Sequence, residues 1–294
     1  MNVIAIFGGS GFIGSELIYT LAKHKVEIRL FTQNKFRANH LKVFPSLKLV
    51  QYNSKSNLLE LLKGTDTVIN CIGILHENHT NQFDEIHAIW LKKLAGLIKQ
   101  LKIKRFIHLS ALRAEKNAPS KYLKSKFRGE KYIQEICKAS NWTIFRPSVV
   151  FGENDSFINL FSKMIQFLPI IFVVSSKAKF QPIAVNDLIS IIVKSIDDKK
   201  TFKKIYNVGG PKIYTFMSLL KLISNSMHKQ RLFIPLSRNL SYAMVRLLEF
   251  SPVKLITRDN LKSMELDNVT TINDAYQFES TLIELETYLD KLND

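Results

Sequence analysis

The sequence has 294 residues, 46% hydrophobic and 23% charged, which excludes a disordered chain. Its formal net charge of +17 favours an anionic partner such as nucleic acid, an acidic membrane surface or a phosphorylated ligand, although a lysine-rich composition without such a partner explains it equally well. No apolar run approaches the ~20 residues that cross a bilayer, and no signal or transit peptide precedes the first strand, so we expect a cytoplasmic protein.

Strands and helices alternate over the first 150 residues. Strands are predicted where short apolar runs end at turn residues, and helices where apolar residues recur at helical spacing. The predicted strands are Val3–Phe7, Val26–Thr32, Leu47–Tyr52, Asp66–Cys71, Arg105–Ser110 and Trp142–Arg146. The predicted helices are Ser15–His24, Leu58–Lys63, Phe83–Leu101 and Ser120–Ser140. This alternation predicts an α/β fold, a Rossmann doubly wound parallel sheet with helices on both faces.

The alternation stops after residue 150. A helix at Asn186–Asp197 and a strand at Ile205–Val208 are predicted to complete the same sheet. The rest is predicted as helix with irregular links, forming a smaller, mostly helical lobe for a substrate or partner. The predicted domains are therefore 1–155 with about 181–210, and 156–180 with 211–294.

Glycines at positions 8, 11 and 14 follow the first strand and open the first helix. The first permits a tight turn, the second lets backbone N–H groups approach a pyrophosphate, and the third lets the helix pack on the strand. The helix N-terminus adds partial positive charge. We therefore predict a nicotinamide dinucleotide held by the loop residues Gly8, Ser10, Gly11, Phe12, Ile13 and Gly14.

The end of the second strand bears on which dinucleotide binds. NAD enzymes usually carry an acidic residue there for the ribose hydroxyls. This chain has Gln33, Asn34, Lys35 and Arg37 instead, with two bases and no acid. We therefore favour NADP(H) over NAD(H), although the two bases are also typical of a solvated surface. Asn53, after the third strand, is predicted to meet the adenine edge.

Tyr122 and Lys126 lie four residues apart in the helix after the fifth strand, which places them on one helical face. A nearby ammonium and the nicotinamide charge are expected to lower the pKa of the phenol, so that Tyr122 can act as an acid or base. Ser110, at the end of the fifth strand, is predicted to bind a substrate carbonyl or hydroxyl. Whether the pair performs chemistry or only grips the cofactor stays open.

These features resemble the extended and atypical branch of the short-chain dehydrogenase/reductase superfamily, whose members include NAD-dependent epimerases and dehydratases. More narrowly, the chain resembles the NAD(P)H-binding accessory subunit of respiratory complex I and its bacterial relatives. The stretches that carry the resemblance are 68–75, 106–112, 120–126, Gly129-Glu130, 146–152, 180–183, Thr257-Arg258-Asp259-Asn260 and Asp267-Asn268.

The resemblance implies a tightly held NADP(H) with little turnover, and a link to NADH:ubiquinone oxidoreductase or to ubiquinone biosynthesis. It also places Tyr122 and Lys126 at the nicotinamide ribose. Further cofactor contacts that it implies are Cys71, Ile72, Gly73 and Pro147. The chain departs from the family at Gln33-Asn34, where an arginine is expected for the 2′-phosphate.

Two other functions stay open. One is an active NAD(P)-dependent epimerase, dehydratase or reductase acting on a nucleotide sugar or an isoprenoid-like substrate, which the intact Ser110, Tyr122 and Lys126 favour. The other is a non-catalytic NADP(H) sensor, which would not need the tyrosine and lysine. No metal site and no nucleic-acid partner is expected, because no metal-ligand spacing or nucleic-acid-binding motif is present.

The apolar segment Leu240–Phe250 has two interpretations. Its spacing is typical of a core helix in the second lobe. Alternatively, it offers an apolar face to a quinone, an isoprenoid or a membrane, and the positive charge would then support peripheral contact with anionic lipid on the inner face of a membrane.

Overall fold

A computed structural model describes residues 2–78, 80–249 and 256–291. The chain forms two compact units. Unit 1 is drawn from Met1–Ser110, Ser125–Arg146 and Ile189–Tyr206, and unit 2 from Ala111–Lys124, Pro147–Leu188 and Asn207–Asp294. Of the residues assigned to the predicted first domain, 111–124, 147–155, 181–188 and 207–210 belong to unit 2 in this division.

The strands lie close to their predicted positions in the first half of the chain. In chain order they are β1 (Asn2–Phe7), β2 (Val26–Thr32), β3 (Leu47–Gln51), β4 (Thr67–Asn70), β5 (Arg105–Leu109), β6 (Asn141–Pro147), β7 (Val150–Phe151), β8 (Ile170–Val173), β9 (Lys179–Phe180), β10 (Ile183–Ala184), β11 (Lys204–Val208), β12 (Tyr214–Thr215) and β13 (Leu232–Pro235).

The helices are α1 (Phe12–Leu21), α2 (Leu58–Leu61), α3 (Trp90–Gln100), α4 (Lys121–Ile136), α5 (Ile158–Phe167), α6 (Val185–Ser195), α7 (Phe216–Ser226), α8 (Arg238–Leu248), α9 (Arg258–Ser263) and α10 (Leu285–Lys291). A π-helical turn over Glu85–Ile89 precedes α3, and short 3-10 helices cover Lys35–Leu41, Lys199–Thr201 and Asp274–Gln277.

Seven strands form one sheet in the order β11-β6-β5-β4-β1-β2-β3. The pairs from β3 through β6 are parallel, and Ile4 of β1 lies opposite both Ile28 of β2 and Thr67 of β4. The strand order reverses between β1 and β4, which is where this fold binds its ligands, outside the carboxyl ends of the strands. The predicted Rossmann sheet is confirmed, and the strand predicted at Ile205–Val208 belongs to it.

Apolar side chains hold the helices of unit 1 to this sheet. On α3 the buried residues Leu91, Leu94, Ala95 and Ile98 follow helical spacing and join one core cluster with Phe106 of β5. Phe7, Phe31, Tyr52 and Trp90 pack ring against ring in the same cluster, with Tyr52 stacked on Trp90 at a centroid distance of 6.0 Å.

Unit 2 contains short strands as well as helices. Three two-stranded sheets pair β7 with β10, β9 with β12, and β8 with β13. The sequence pattern did not indicate β8, because the continuous apolar run Phe167–Val174 lacks the alternation that identifies a strand. In the structure β8 alternates exposed and buried residues, with Ile171 and Val173 facing the core.

Helix α8 covers the segment that had two interpretations. Ser241 and Val245 are buried, whereas Leu240 and Leu247 are exposed. Phe250 lies outside the described residues. Across the described ranges, every helix falls short of the length and apolarity needed to cross a membrane.

Candidate functional site

The glycine loop joins β1 to α1 as the spacing predicts. Gly8 has a φ of +78°, a conformation that favours glycine, and a Cβ there would come within 2.8 Å of the Cys71 and Ile72 backbone. A Cβ on Gly14 would lie 2.3 Å from the Gly8 carbonyl oxygen. The loop therefore packs against the residues that follow β4, and larger side chains cannot replace these two glycines without a shift.

The N-terminus of α1 can accept an anion. Gly11 is the N-cap residue, no side chain caps the helix, and its first turn contains no acidic residue. Uncapped N–H groups and the helix dipole favour negative charge at this position. A Cβ added to Gly11 would meet only the Gly8 oxygen at 3.4 Å, so one side of the loop is open. These features fit a pyrophosphate.

The residues after β2 are exposed. The Asn34 side chain accepts a hydrogen bond from Phe36 N and caps the following 3-10 helix, which occupies its oxygen. Gln33, Lys35 and Arg37 are exposed. Asn53 lies after β3, where its Oδ1 accepts from Lys55 N and Ser56 Oγ in a local turn. Contact of these residues with a dinucleotide stays a prediction.

Lys126 lies in unit 1 beside the loop after β4. Its ammonium donates to the Leu109 carbonyl oxygen at 3.3 Å, and a Cβ on Gly73 would lie 3.1 Å from Nζ. Burial lowers the pKa of Lys126 to about 8, and the Glu130 carboxylate partly opposes this. Burial likewise raises the pKa of the Cys71 thiol to about 12. Unit 1 thus brings the glycine loop, residues 71–73 and Lys126 together.

Ser110 follows β5 in unit 1. Its Oγ is buried and has no hydrogen-bond partner among the described residues. A buried hydroxyl without a partner carries an energetic cost, so it often marks a position that a ligand satisfies. The binding of a substrate carbonyl or hydroxyl by Ser110 stays a prediction.

Tyr122 is in the first turn of α4, one turn before Lys126, so the predicted helix is present. Tyr122 and Pro147 belong to unit 2. Burial raises the pKa of Tyr122 to about 12, the opposite of the predicted direction. The prediction relied on positive charge near the phenol, but desolvation is the dominant effect on the chain by itself. The phenol therefore stays protonated at neutral pH.

Two buried histidines near Lys126, His87 and His108, were not predicted. His87 Nε2 accepts a hydrogen bond from Ile74 N at 3.0 Å, and its Nδ1 lies 2.9 Å from Ser125 Oγ. Burial, with Lys126 and His108 as further causes, lowers the pKa of His87 to about 2, so the ring is neutral. His87 therefore fixes the backbone after Gly73. Only its place on the buried side of a predicted helix could have indicated it.

An ion pair on α4 was also not predicted as a structural feature. Glu130 is fully buried and receives two hydrogen bonds from the Arg146 guanidinium, at 2.8 and 2.5 Å. Both residues lie in stretches that carry the family resemblance. They link α4 to β6 in unit 1.

The resembling stretches of unit 2 bind the protein's own backbone. The Asp259 carboxylate accepts from Lys121 N at 2.7 Å and Tyr122 N at 3.0 Å, and so caps α4. Asn268 Oδ1 accepts from Ser148 Oγ and Val149 N. Gln181 Oε1 accepts from Thr270 N. These motifs stabilise unit 2 and do not by themselves mark a substrate site.

Comparison with known proteins places this geometry in a family. The model of the NAD dependent epimerase/dehydratase family matches residues 4–209. The chain is 29% identical over 281 residues to the mitochondrial NADH dehydrogenase (ubiquinone) 1 alpha subcomplex subunit 9 of Dictyostelium discoideum, covering 92% of this chain and 77% of the relative.

Two solved structures share the fold. A nucleoside-diphosphate-sugar epimerase from Staphylococcus aureus superposes with a TM-score of 0.77 at 15% identity, covering 99% of this chain and all of the other. The dTDP-glucose 4,6-dehydratase of Bacillus anthracis, solved in complex with NAD, gives 0.74 at 16% identity over 100% and 96% of the two chains. At these identities the similarity establishes the fold only.

Proposed function

Since the chain belongs to the NAD-dependent epimerase/dehydratase family, we propose that it is a dinucleotide-holding accessory protein of NADH:ubiquinone oxidoreductase or of ubiquinone biosynthesis. The observation that carries the proposal is the uncapped α1 N-terminus, packed by Gly8 and Gly14 against the backbone after β4. The similarity over 92% of the chain to a subunit named for NADH dehydrogenase supports the partner.

The residues of the candidate site have separate roles in the proposed binding of the cofactor. The N–H groups that follow Gly11 would bind the pyrophosphate, and Lys126 with Tyr122 would bind the nicotinamide ribose. The bound nicotinamide would supply hydride chemistry. Lys35 and Arg37 are exposed bases and no acid follows β2, which supports NADP(H).

The pKa values of Tyr122 and Lys126 support a protein that holds its cofactor rather than one that turns over a substrate rapidly. A phenol whose pKa is about 12 is a weak acid at neutral pH, and Lys126, with a pKa of about 8, carries most of its charge there. Proton transfer is most efficient when the pKa of the catalytic group lies near the working pH. Tyr122 in this state is therefore suited to a hydrogen bond to the cofactor.

A second candidate function is an active epimerase, dehydratase or reductase. The specific observation in its favour is the buried Ser110 Oγ without a partner, which a substrate oxygen would satisfy. Turnover of a nucleotide sugar or isoprenoid-like substrate that disappears in Tyr122→Phe, with dinucleotide binding retained, would establish this function in place of the accessory one.

The main test is a calorimetric titration of Gly11→Ala with NADPH. Gly11 has a φ of −91° and its added methyl group meets only ordinary contacts, so we expect normal folding. The methyl group would occupy space next to the pyrophosphate, and the loss of charged hydrogen bonds would weaken binding about tenfold to a hundredfold. The control is Gly96→Ala on α3, where the added methyl group meets no atom within 4 Å, and this variant should bind NADPH like the wild type.

A second arm tests the cofactor and the partner. The double variant Lys35→Ala with Arg37→Ala should bind NADPH about tenfold more weakly and NADH with unchanged affinity. The control double variant of two exposed lysines, Lys23→Ala with Lys25→Ala, should bind both dinucleotides like the wild type. Native electrophoresis of cell extracts should place the chain with NADH:ubiquinone oxidoreductase. Equal NADPH affinity in both double variants would contradict the 2′-phosphate assignment, and migration apart from the enzyme would contradict the proposed complex.

A further inference from the structure

The two-stranded sheet of β8 and β13 in unit 2 has one apolar face turned outward. The strands are parallel, with Ile170 opposite Leu232 and Phe172 opposite Ile234. The alternate residues, such as Ile171, pack into the core of the unit. Phe172 is nevertheless 51% exposed and Leu232 57% exposed, so the outward residues have been left uncovered.

The end of α5 extends this apolar face. Phe167 is 79% exposed and Leu168 44% exposed, and they lead directly into β8. Leu232 N donates to the Pro169 carbonyl oxygen at 3.0 Å, which fixes the start of β13 beside this corner. The residues that form what we call the ribbon face are Phe167, Leu168, Ile170, Phe172, Leu232 and Ile234.

The ribbon face lies in a part of the chain without acidic residues. Residues 156–186 and 199–248 contain no Asp or Glu, although the whole chain has 25. These stretches supply α5, β8, β13 and α8. Lys163 lies one helical turn before Phe167, Lys177 follows β8, and Arg231 precedes Leu232 and donates to the carbonyl oxygens of residues 165 and 166 at the end of α5. The charged residues nearest in sequence to the ribbon face are therefore all basic.

We infer that the ribbon face docks on an anionic lipid surface. Exposed aromatic and aliphatic side chains bordered by lysine and arginine fit the boundary between acyl chains and charged headgroups. Lysine is depleted in protein–protein interfaces, which makes a protein partner the weaker match. This surface differs from the Leu240–Phe250 segment indicated by the sequence, and it goes beyond the proposed function because it needs no bound dinucleotide.

Vesicle flotation with the full-length protein tests the inference. Vesicles of phosphatidylcholine with about one third phosphatidylglycerol should carry the protein upward at low salt, whereas pure phosphatidylcholine vesicles should not. Binding should weaken at 0.5 M salt, because screening shortens the reach of the lysines to about 3–5 Å.

Two pairs of variants locate the surface. Phe172→Ser with Leu232→Ser should lower vesicle binding at least about tenfold, because the apolar area that enters the lipid is lost. The matched control is Ile213→Ser with Ile272→Ser, two exposed apolar residues of unit 2 outside the ribbon face. Lys163→Glu with Lys177→Glu should also lower binding at least about tenfold, whereas Lys23→Glu with Lys25→Glu, which changes the net charge equally, should not.

Thermal unfolding and NADPH titration of each variant separate this inference from the proposed function. A variant that loses flotation but keeps the melting temperature and the NADPH affinity of the wild type supports the ribbon face. This holds even if the wild type itself binds no dinucleotide, so failure of the proposed function would not remove the inference. Three results would overturn the inference: no flotation of the wild type, equal flotation of the Phe172/Leu232 variant, or sedimentation showing a dimer that only this variant dissociates, which would make a second copy the occupant.

Discussion

At the carboxyl ends of the large sheet in unit 1, motif residues leave polar groups available to a ligand, whereas in unit 2 the motif residues bind the protein's own backbone. The α1 N-terminus has no cap, and the Ser110 hydroxyl has no partner among the described residues. By contrast, Asp259, Asn268 and Gln181 each accept a backbone N–H. The polar groups of the first set are therefore available to the proposed ligand, whereas those of the second set contribute to stability.

One ion pair from each unit allows a second comparison, of burial. In unit 1 Glu130 is completely buried against Arg146, while in unit 2 the pair of Arg238 and Glu265 has side chains that are 75% and 36% exposed. A buried carboxylate that loses its charge leaves the guanidinium without compensation, whereas water replaces the partner of an exposed one. The same substitution should therefore have very different effects on stability in these two ion pairs.

Glu130→Gln should give the largest effect, a loss of about 3–5 kcal/mol in the free energy of unfolding, since it leaves the Arg146 side chain, which is only 18% exposed, without its counter-charge. Glu265→Gln, the matched control in unit 2, should lose no more than about 1 kcal/mol. Urea unfolding of both variants at neutral pH provides the measurement. Similar losses of unfolding free energy in the two variants would show that burial does not determine the contribution of these ion pairs to stability.

The pH dependence of stability tests the buried histidine of unit 1. Because the pKa of His87 is about 2 in the folded chain against 6.5 in the unfolded chain, its contribution is fully present above pH 6.5 and is lost as the pH falls. Between pH 6.5 and 4.5 the wild type should lose about 2–3 kcal/mol more than His87→Gln. His24→Gln, an exposed histidine, should follow the wild type. If the free energy of unfolding falls with pH in the same way in His87→Gln and in the wild type, the low pKa of His87 is contradicted.

The fold of unit 1 was predictable because local pattern and burial agree there. Val26–Thr32 was predicted to the residue, and the glycine spacing located the loop before α1. Strand β8 was missed because both a buried helix and a strand produce an unbroken apolar run. An unbroken apolar run also does not predict an exposed apolar face, because the pairing of β8 with β13 decides which residues point outward.

Long-range partners explain why parts of the site were not predicted. Asp259 contacts residues 137 and 138 positions away, and no periodicity connects them. The pKa of Tyr122 was predicted to fall beside Lys126 and a bound nicotinamide, whereas in the chain by itself desolvation raises it, and sequence spacing does not reveal the residues that cause this desolvation. The glycine loop needed no such partners, because strand, loop and helix are consecutive.

The smallest expected effect tests whether a unit 2 motif acts only on stability. Asp259→Ala removes the acceptor for Lys121 N and Tyr122 N at the start of α4, which should lower the free energy of unfolding by about 1–2 kcal/mol. Lys262→Ala, exposed on the same helix, should cost less than about 0.5 kcal/mol. Because α4 also carries Tyr122, NADPH titration is the informative second measurement. Unchanged NADPH affinity with reduced stability would confirm the contrast between the units, whereas weaker binding would give Asp259 a role in positioning Tyr122 and narrow that contrast to the remaining unit 2 motifs.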